Sequence, residues 1–268
     1  MKGKSLNIIL LGRKTWAAKA LGFLLEQGHN VVAVVGKEAF LELDHRKGSL
    51  LEEAKERGIQ TAAINELYSW IEAGAGSPVP FEKVDLVISY LFWEKIKEPL
   101  LSIPKLGAIN FHPAPLPDLR GVGGYNKAIL EEREYYGVTA HYMSGEIDEG
   151  DIIKVHRLKI DPQNETALSL EQKSQEEMFL LFKEVITSLQ KNVSLPRMKQ
   201  NKQEGIYINR EQFEQMKYIM PHDNEEVIRR KIRAFWFPPY DGAKIKIAGT
   251  EFTLVDKSIL NDLSKWLH

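Results

Sequence analysis

The chain has no cysteine among its 268 residues. That excludes a disulfide framework and a thiolate metal site. It has almost no net charge, with 36 lysines and arginines against 37 aspartates and glutamates. No large basic surface for nucleic acid is therefore advertised. Long apolar runs are also missing. Leu6 to Leu11 follows a basic Met1-Lys2-Gly3-Lys4 but stops at Gly12-Arg13, too short for a signal core or a membrane span. These absences place the chain in the cytoplasm, with neither a membrane nor a nucleic acid as partner.

Glycine is scarce at one place where it would matter. Leu6–Leu11 reads as a buried strand. Trp16, Ala17, Ala20, Leu21, Leu24 and Leu25 follow at helical spacing up to Gly28, and Val31–Val35 is a β-branched run. This is a βαβ opening. A dinucleotide site would carry its glycine fingerprint at Gly12-Arg13-Lys14-Thr15-Trp16, where only Gly12 is present, so a nicotinamide or flavin site is disfavoured. Arg13 and Lys14 suit an anionic substrate at the helix start, and equally suit two solvated loop cations.

Further along, Ser49–Arg57 predicts a short helix, Gln60–Ile64 a strand, and Asn65 the cap of a helix through Ile71. Val84–Ile88 predicts a buried strand running into Ser89-Tyr90-Leu91-Phe92-Trp93. Ile152–Ile160 predicts another strand, and Thr166 the cap of a long helix. Asn192–Glu204 is polar, contains Pro196 and reads as a linker. Glu225–Phe235 predicts a helix carrying Arg229, Arg230, Lys231 and Arg233, followed by the aromatic turn Phe235-Trp236-Phe237-Pro238-Pro239-Tyr240. Lys244–Ile247 and Thr250–Leu254 around Ala248-Gly249 predict a hairpin. The fold class is α/β. A mostly parallel sheet is expected over residues 1–195, with a small strand-rich C-terminal subdomain over 205–268.

The chemistry gathers in two stretches. In Gly107–Gly121, Asn110 and His112 sit two apart at the end of an apolar run, which puts both side chains on one face of a strand. Pro113, Pro115 and Pro117 then stiffen the exit. In the second stretch, Val138–Met143 reads as a strand and Ser144–Asp151 as an acidic, glycine-punctuated loop. A carboxylate there can orient His112. His112, His141 and Asp148 lack the close ligand spacing of common zinc motifs, so no metal is assigned.

Asn110-x-His112-Pro113, Leu116-Pro117, Arg120-Gly121, Gly137-Val138-Thr139 and Asp148-x-Gly150-Asp151 together resemble the formyltransferases that use N10-formyltetrahydrofolate. His112-Pro113-Ala114-Pro115-Leu116-Pro117 and Gly124-Tyr125-Asn126 resemble the nucleotide-sugar N-formyltransferases in particular. The resemblance implies a Rossmann-like formyltransferase domain and Asn110, His112 and Asp148 as the catalytic set. It implies a folate pocket at Tyr90, Leu91, Phe92, Ile96 and Asp151. The acceptor, a UDP- or dTDP-linked amino-deoxy sugar, would meet Arg13, Lys14, Tyr125, Asn126, Trp236, Phe237 and Tyr240. The flat rings of the aromatic turn suit a pyrimidine and the cations a pyrophosphate. The same rings also suit fastening the tail to the main domain. Methionyl-tRNA is the alternative acceptor, and the sugar reading expects a shorter, less basic tail than the tRNA enzymes usually carry. The hairpin can pair across a homodimer or pack on its own subunit.

Overall fold

Strand β1 (Asn7–Gly12) is buried on both faces from Ile8 onward, the pattern of a central parallel strand. The computed structural model describes residues 3–36, 49–201 and 203–260, without the Lys14 side chain. After β1 come α1 (Lys14–Glu26), β2 (Asn30–Val35), α2 (Leu50–Glu56), β3 (Thr61–Ala62), α3 (Ile64–Ala73), β4 (Leu86–Tyr90) and β5 (Ala108–His112). Next are β6 (Leu119–Gly121), α4 (Gly124–Leu130), β7 (Tyr135–Tyr142), β8 (Ile152–Lys159) and α5 (Ala167–Gln190). The tail contributes β9 (Ile206–Ile208), α6 (Arg210–Met216), α7 (Glu225–Phe235), β10 (Ala243–Ile247) and β11 (Thr250–Leu254).

Seven strands form one sheet in the order β3-β2-β1-β4-β5-β7-β8. The first five run parallel, while β7 pairs antiparallel with both β5 and β8. The expected mostly parallel α/β fold is present. Alternation along each strand sorts side chains into two layers. Leu10, Ile88, Tyr90, Phe111 and Ala140 pack with residues of α1 and α5. Ile9, Leu11, Val87 and Ala108 pack with Ile64 and Leu67 of α3. Asn110 and His112 follow Ala108 at intervals of two, so they project on the α3 side at the carboxyl end of β5. Ligands in open α/β sheets sit at such strand ends.

Local chemistry explains most element ends. Ser49 and Glu52 close a capping box on α2, and Thr166 and Ser169 do the same on α5. The expected Asn65 cap is corrected: Ala63 occupies the N-cap of α3 without a side-chain bond, and Asn65 lies inside the helix. The strand expected over Gln60–Ile64 shrinks to the two residues of β3, because only Thr61 and Ala62 pair with β2. In the tail, β10 and β11 form the expected hairpin. Ala248 and Gly249 both have positive φ, at 48° and 83°, as a tight two-residue turn requires. The tail also holds the expected helix α7 and a second one, α6, that the sequence reading did not name, so it is less strand-rich than expected. Among the described residues, no helix is long and apolar enough to cross a membrane.

The Asn192–Glu204 stretch, expected as a linker, is tied down over Arg197–Gln200. Met198 exchanges both backbone hydrogen bonds with Ile152, at 2.8 and 2.9 Å. Arg197 stacks 3.6 Å over the Tyr142 ring, and Lys199 pairs with Asp151 at 3.1 Å. Beyond it, β9 runs parallel to β6, matching Arg120 with Tyr207 and Gly121 with Ile208.

Candidate active site

The ends of β5 and β7 and the loop after β7 bring four polar side chains together. Antiparallel pairing sets Asn110 opposite His141, and the Asn110 Nδ2 amide lies 3.0 Å from His141 Nε2. The other ring nitrogen, Nδ1, lies 2.8 Å from the Tyr142 carbonyl. A carbonyl only accepts, so Nδ1 carries the proton and Nε2 accepts from Asn110. His141 thereby fixes which way the Asn110 amide points.

His112 sits between two acceptors. Its Nε2 is 3.1 Å from the Leu119 carbonyl, and its Nδ1 is 3.4 Å from Asp148 Oδ1. A neutral ring has one N–H and can satisfy one of them, while an imidazolium satisfies both. Burial lowers the His112 pKa below its usual value, against the opposing pull of the Asp148 carboxylate. Burial also pushes the Asp148 carboxyl up. The neighbouring His112 and His141 rings and the Gly121 N–H outweigh it and hold Asp148 well below the usual carboxylate range. The resting pair is an ionised carboxylate beside a neutral imidazole, and the surroundings are ready to receive a proton on the ring.

Backbone geometry presents Asp148 to these rings. Its φ is +58°, a left-handed conformation that residues with a Cβ seldom adopt. Its Oδ2 accepts from Gly121 N at 3.0 Å. Two residues on, a Cβ on Gly150 would lie 1.7 Å from the Tyr142 carbonyl oxygen, so only glycine fits. Behind the proline-rich exit, Thr139 accepts from Leu116 N at 2.9 Å and donates to the Ala114 carbonyl at 2.8 Å. Buried Arg120 pairs with Glu149 at 3.3 Å. Among the described residues, no three His, Asp or Glu side chains are arranged to hold a metal ion.

The other candidate residues divide. Leu91 has φ +59° at the carboxyl end of β4, the kind of backbone strain that gathers at ligand sites. Phe92 packs against Trp93 with ring centroids 4.4 Å apart, and Ile96 is buried beneath them. Tyr90 is a correction: its ring is fully buried on the opposite face with Phe111 and Phe182, at 5.8 and 5.6 Å, leaving only its backbone near the strand end. Asn126 is another. It is buried, and its amide donates to the Ala234 carbonyl at 2.6 Å, so it fastens α4 to α7. Tyr125 is half-buried against Tyr136, ring centroids 5.5 Å apart. The Asp151 carboxylate is engaged by Lys199 and Arg197. Arg13 stands at the N-cap of α1, where its N–H meets the Tyr90 carbonyl at 3.4 Å. The Lys14 side chain lies outside the described residues. Trp236 packs among Ile228, Ile245 and Leu254 beside buried Ile219 and Ile232. Phe237 leans on Tyr240 at 5.8 Å, and Tyr240 is 54% exposed.

Sequence reasoning weighed His141 only as a metal ligand, and passed over Gln200. His141 shares a strand face with Thr139, and two polar residues alternating with Val138, Ala140 and Tyr142 were a legible signal. Gln200 gave none: its side chain grips backbone, donating to the Asp148 and Gly150 carbonyls at 2.9 and 2.6 Å.

A Rossmann-like sheet with an amide and an imidazole at its strand ends and a carboxylate in the adjoining loop is built for proton-transfer chemistry. Comparison with known proteins gives the family. The family model described as "Formyl transferase" matches residues 6–186, and the chain belongs to that family. It is a formyltransferase. A curated methionyl-tRNA formyltransferase from Geobacillus thermodenitrificans is 31% identical over 260 residues, 90% of this chain and 76% of that protein. WlaRD, a sugar 3N-formyl transferase solved in the presence of dTDP and 5-N-formyl-THF, superposes with a TM-score of 0.72 at 25% identity, covering 93% of this chain and 85% of that one. An N-formyltransferase from Helicobacter canadensis, solved with folinic acid and dTDP-3-aminofucose, shares the fold at TM-score 0.72 and 24% identity, covering 92% and 86%.

Proposed function

We propose that this enzyme transfers a formyl group from N10-formyltetrahydrofolate to the amine of a UDP- or dTDP-linked amino-deoxy sugar. The neutral amine attacks the formyl carbon. A new carbon–nitrogen bond forms, and the carbonyl electrons move onto oxygen. Asn110 has one N–H directed at His141 and donates the other to that oxyanion, an interaction typically worth roughly 2.7–4 kcal/mol. His112 takes the proton released by the amine, and Asp148 stabilises the resulting imidazolium. Collapse of the intermediate breaks the bond to N10, which leaves with the proton that His112 had taken, and the ring returns to neutral. Leu91, Phe92 and Ile96 are assigned to the folate side.

The observation that carries the choice of acceptor is the charge compensation of α7 and Lys244. Arg229 pairs with Glu225 at 2.9 Å, and Arg230 pairs with Glu226 and Glu132 at 2.5 and 2.8 Å. Lys231 pairs with Asp223 at 2.6 Å, and Arg233 donates to the Pro162 carbonyl at 3.2 Å. Lys244 is surrounded by Asp241, Glu251 and Glu214. A helix whose cations are already met offers little to an RNA backbone, whose binding needs uncompensated charge. An exposed ring at Tyr240, by contrast, suits one nucleobase. Arg13, at the carboxyl end of β1, is assigned to the pyrophosphate. The unit of residues 205–268 then carries the base contact, and residues 1–195 carry the catalysis. Pairing of two copies through the hairpin, where Ile247 and Phe252 are 56% and 49% exposed, belongs to the same reading.

Methionyl-tRNA is the second reading, favoured by sequence similarity to the Geobacillus enzyme. The test is formyl transfer to a panel of UDP- and dTDP-linked amino sugars and to methionyl-tRNA, with free UDP and dTDP as competitors. Turnover of a nucleotide sugar, with competition by its free nucleotide, is the expected result. Formylation of methionyl-tRNA without inhibition by either nucleotide would overturn it.

A further inference from the structure

Asp148 is held from behind by a segment that composition marks as a linker. Four consecutive residues grip the two arms of the loop that carries it. Arg197 lies on the Tyr142 ring, Met198 bridges Ile152, and Lys199 meets Asp151. Only Gln200 reaches the Asp148 peptide itself. Its Nε2 donates to the Asp148 carbonyl at 2.9 Å and to the Gly150 carbonyl at 2.6 Å. One amide group therefore bridges the carbonyls of the residues on both sides of Glu149. The orientation of that amide follows from its donors alone, because the buried Oε1 has no hydrogen-bond partner among the described residues. Flipping it would place an amide oxygen against two carbonyl oxygens.

We infer that Gln200 is a positioning residue, clamping the left-handed backbone of Asp148 so that its carboxylate faces His112. The inference rests on the roles proposed above for Asp148 and His112. The clamp supplies what the loop lacks locally. Asp148 has φ +58°, and its carboxylate meets a single backbone donor, Gly121 N. Without Gln200, two backbone carbonyls lose their partner and the peptide can rotate toward more populated dihedrals. Rotation would swing the carboxylate away from His112, 3.4 Å off. A displacement of about 1 Å in catalytic geometry can cost roughly 100-fold in rate.

The readout is His112. The groups that face it are Asp148 from the loop, His141 from β7 and the Leu119 carbonyl beside β6, with the Arg120–Glu149 pair next to the loop. Of these, Asp148 is the anion that draws the ring toward its protonated form. Gln200→Leu and Gln200→Met both remove the donor without adding charge, and either serves if the other folds poorly. The experiment follows the His112 ring by NMR across pH in the wild-type enzyme and both variants, alongside melting, kcat and the KM of each substrate. Expected are melting and KM values near wild type, a kcat lower by about 10- to 100-fold, and a His112 midpoint shifted to lower pH. A His112 midpoint that stays in place in a folded variant overturns the inference, whatever happens to turnover. The titration needs no substrate. A wrong acceptor assignment would appear separately, as wild-type enzyme that formylates no nucleotide sugar.

Discussion

Replacing Asp148 by asparagine removes a charge and also fixes a proton in the wrong place. The Gly121 N–H, 3.0 Å from Oδ2, requires an oxygen at that position. The new NH2 group must then take the Oδ1 position, 3.4 Å from His112 Nδ1 and 3.7 Å from His141 Nε2. It donates to His112 Nδ1, and the ring's own proton is confined to Nε2, pointing at the Leu119 carbonyl. No lone pair remains to accept a proton from the amine. The lost attraction between carboxylate and imidazolium adds to this. Unit charges at that separation interact by roughly 5 kcal/mol at an effective dielectric of about 20, which bounds the loss from above. About 1.4 kcal/mol per decade makes a fall of roughly 1,000-fold in kcat the expected result. Single-turnover formyl transfer at saturating donor and acceptor measures it. The pH dependence gives a second check. His112 must be neutral to act, so the rate rises with pH through its pKa. Losing the Asp148 attraction should move any remaining acid limb to lower pH. A fall of less than tenfold, with the acid limb in place, would refute the orienting role.

Four further outcomes follow from the structure. Asn110→Ala should lower kcat by about 100- to 1,000-fold with the folate KM nearly constant; a change confined to KM would point to binding alone. Tyr240→Ala should raise the acceptor KM about 5- to 150-fold, the effect of losing one base–ring stack, without changing the melting temperature. Trp236→Ala should instead melt earlier, since that ring packs into the tail core. His29 accepts from Leu6 N at 3.2 Å through Nδ1 and has its pKa lowered by burial. The His29 contribution to stability should therefore be fully present above the unfolded-state value of about 6.5 and be lost as pH falls from there through the lower folded-state value. His29→Asn, which keeps an acceptor, should flatten denaturant midpoints measured between about pH 7.5 and 5.

The strands that make the sheet were legible because burial on two faces demands continuous apolar runs, as in Leu6–Leu11, Val31–Val35 and Val84–Ile88. Asn110 and His112 were legible as a pair because strand periodicity is local. What stayed hidden depends on partners distant in sequence. The antiparallel pairing that brings His141 to Asn110 has no signature within either strand. Tyr90 and Asn126 were placed at the site because their neighbours resemble site motifs, yet strand alternation turns the Tyr90 ring into the α5 layer. The Asn192–Glu204 stretch looked like a linker because its polar side chains, Arg197, Lys199 and Gln200, meet another loop and its flanking strand rather than a core. Hydrophobic patterning carries no trace of that role.

The parallel pairing of β9 with β6 bears on how the enzyme can be recombined. Cutting at residue 195 and joining a relative's tail would be the natural way to exchange acceptor preference. That chimera would inherit Asp148 without Gln200, and Gly121 without the strand that flanks it. Its catalytic loop would have to be rebuilt by foreign residues. A junction placed after Ile208 would carry both supports with the donor half and exchange only α6, α7, the aromatic turn and the hairpin. On the proposed division of roles, the seam between acceptor choice and catalysis lies about a dozen residues beyond the place where composition changes.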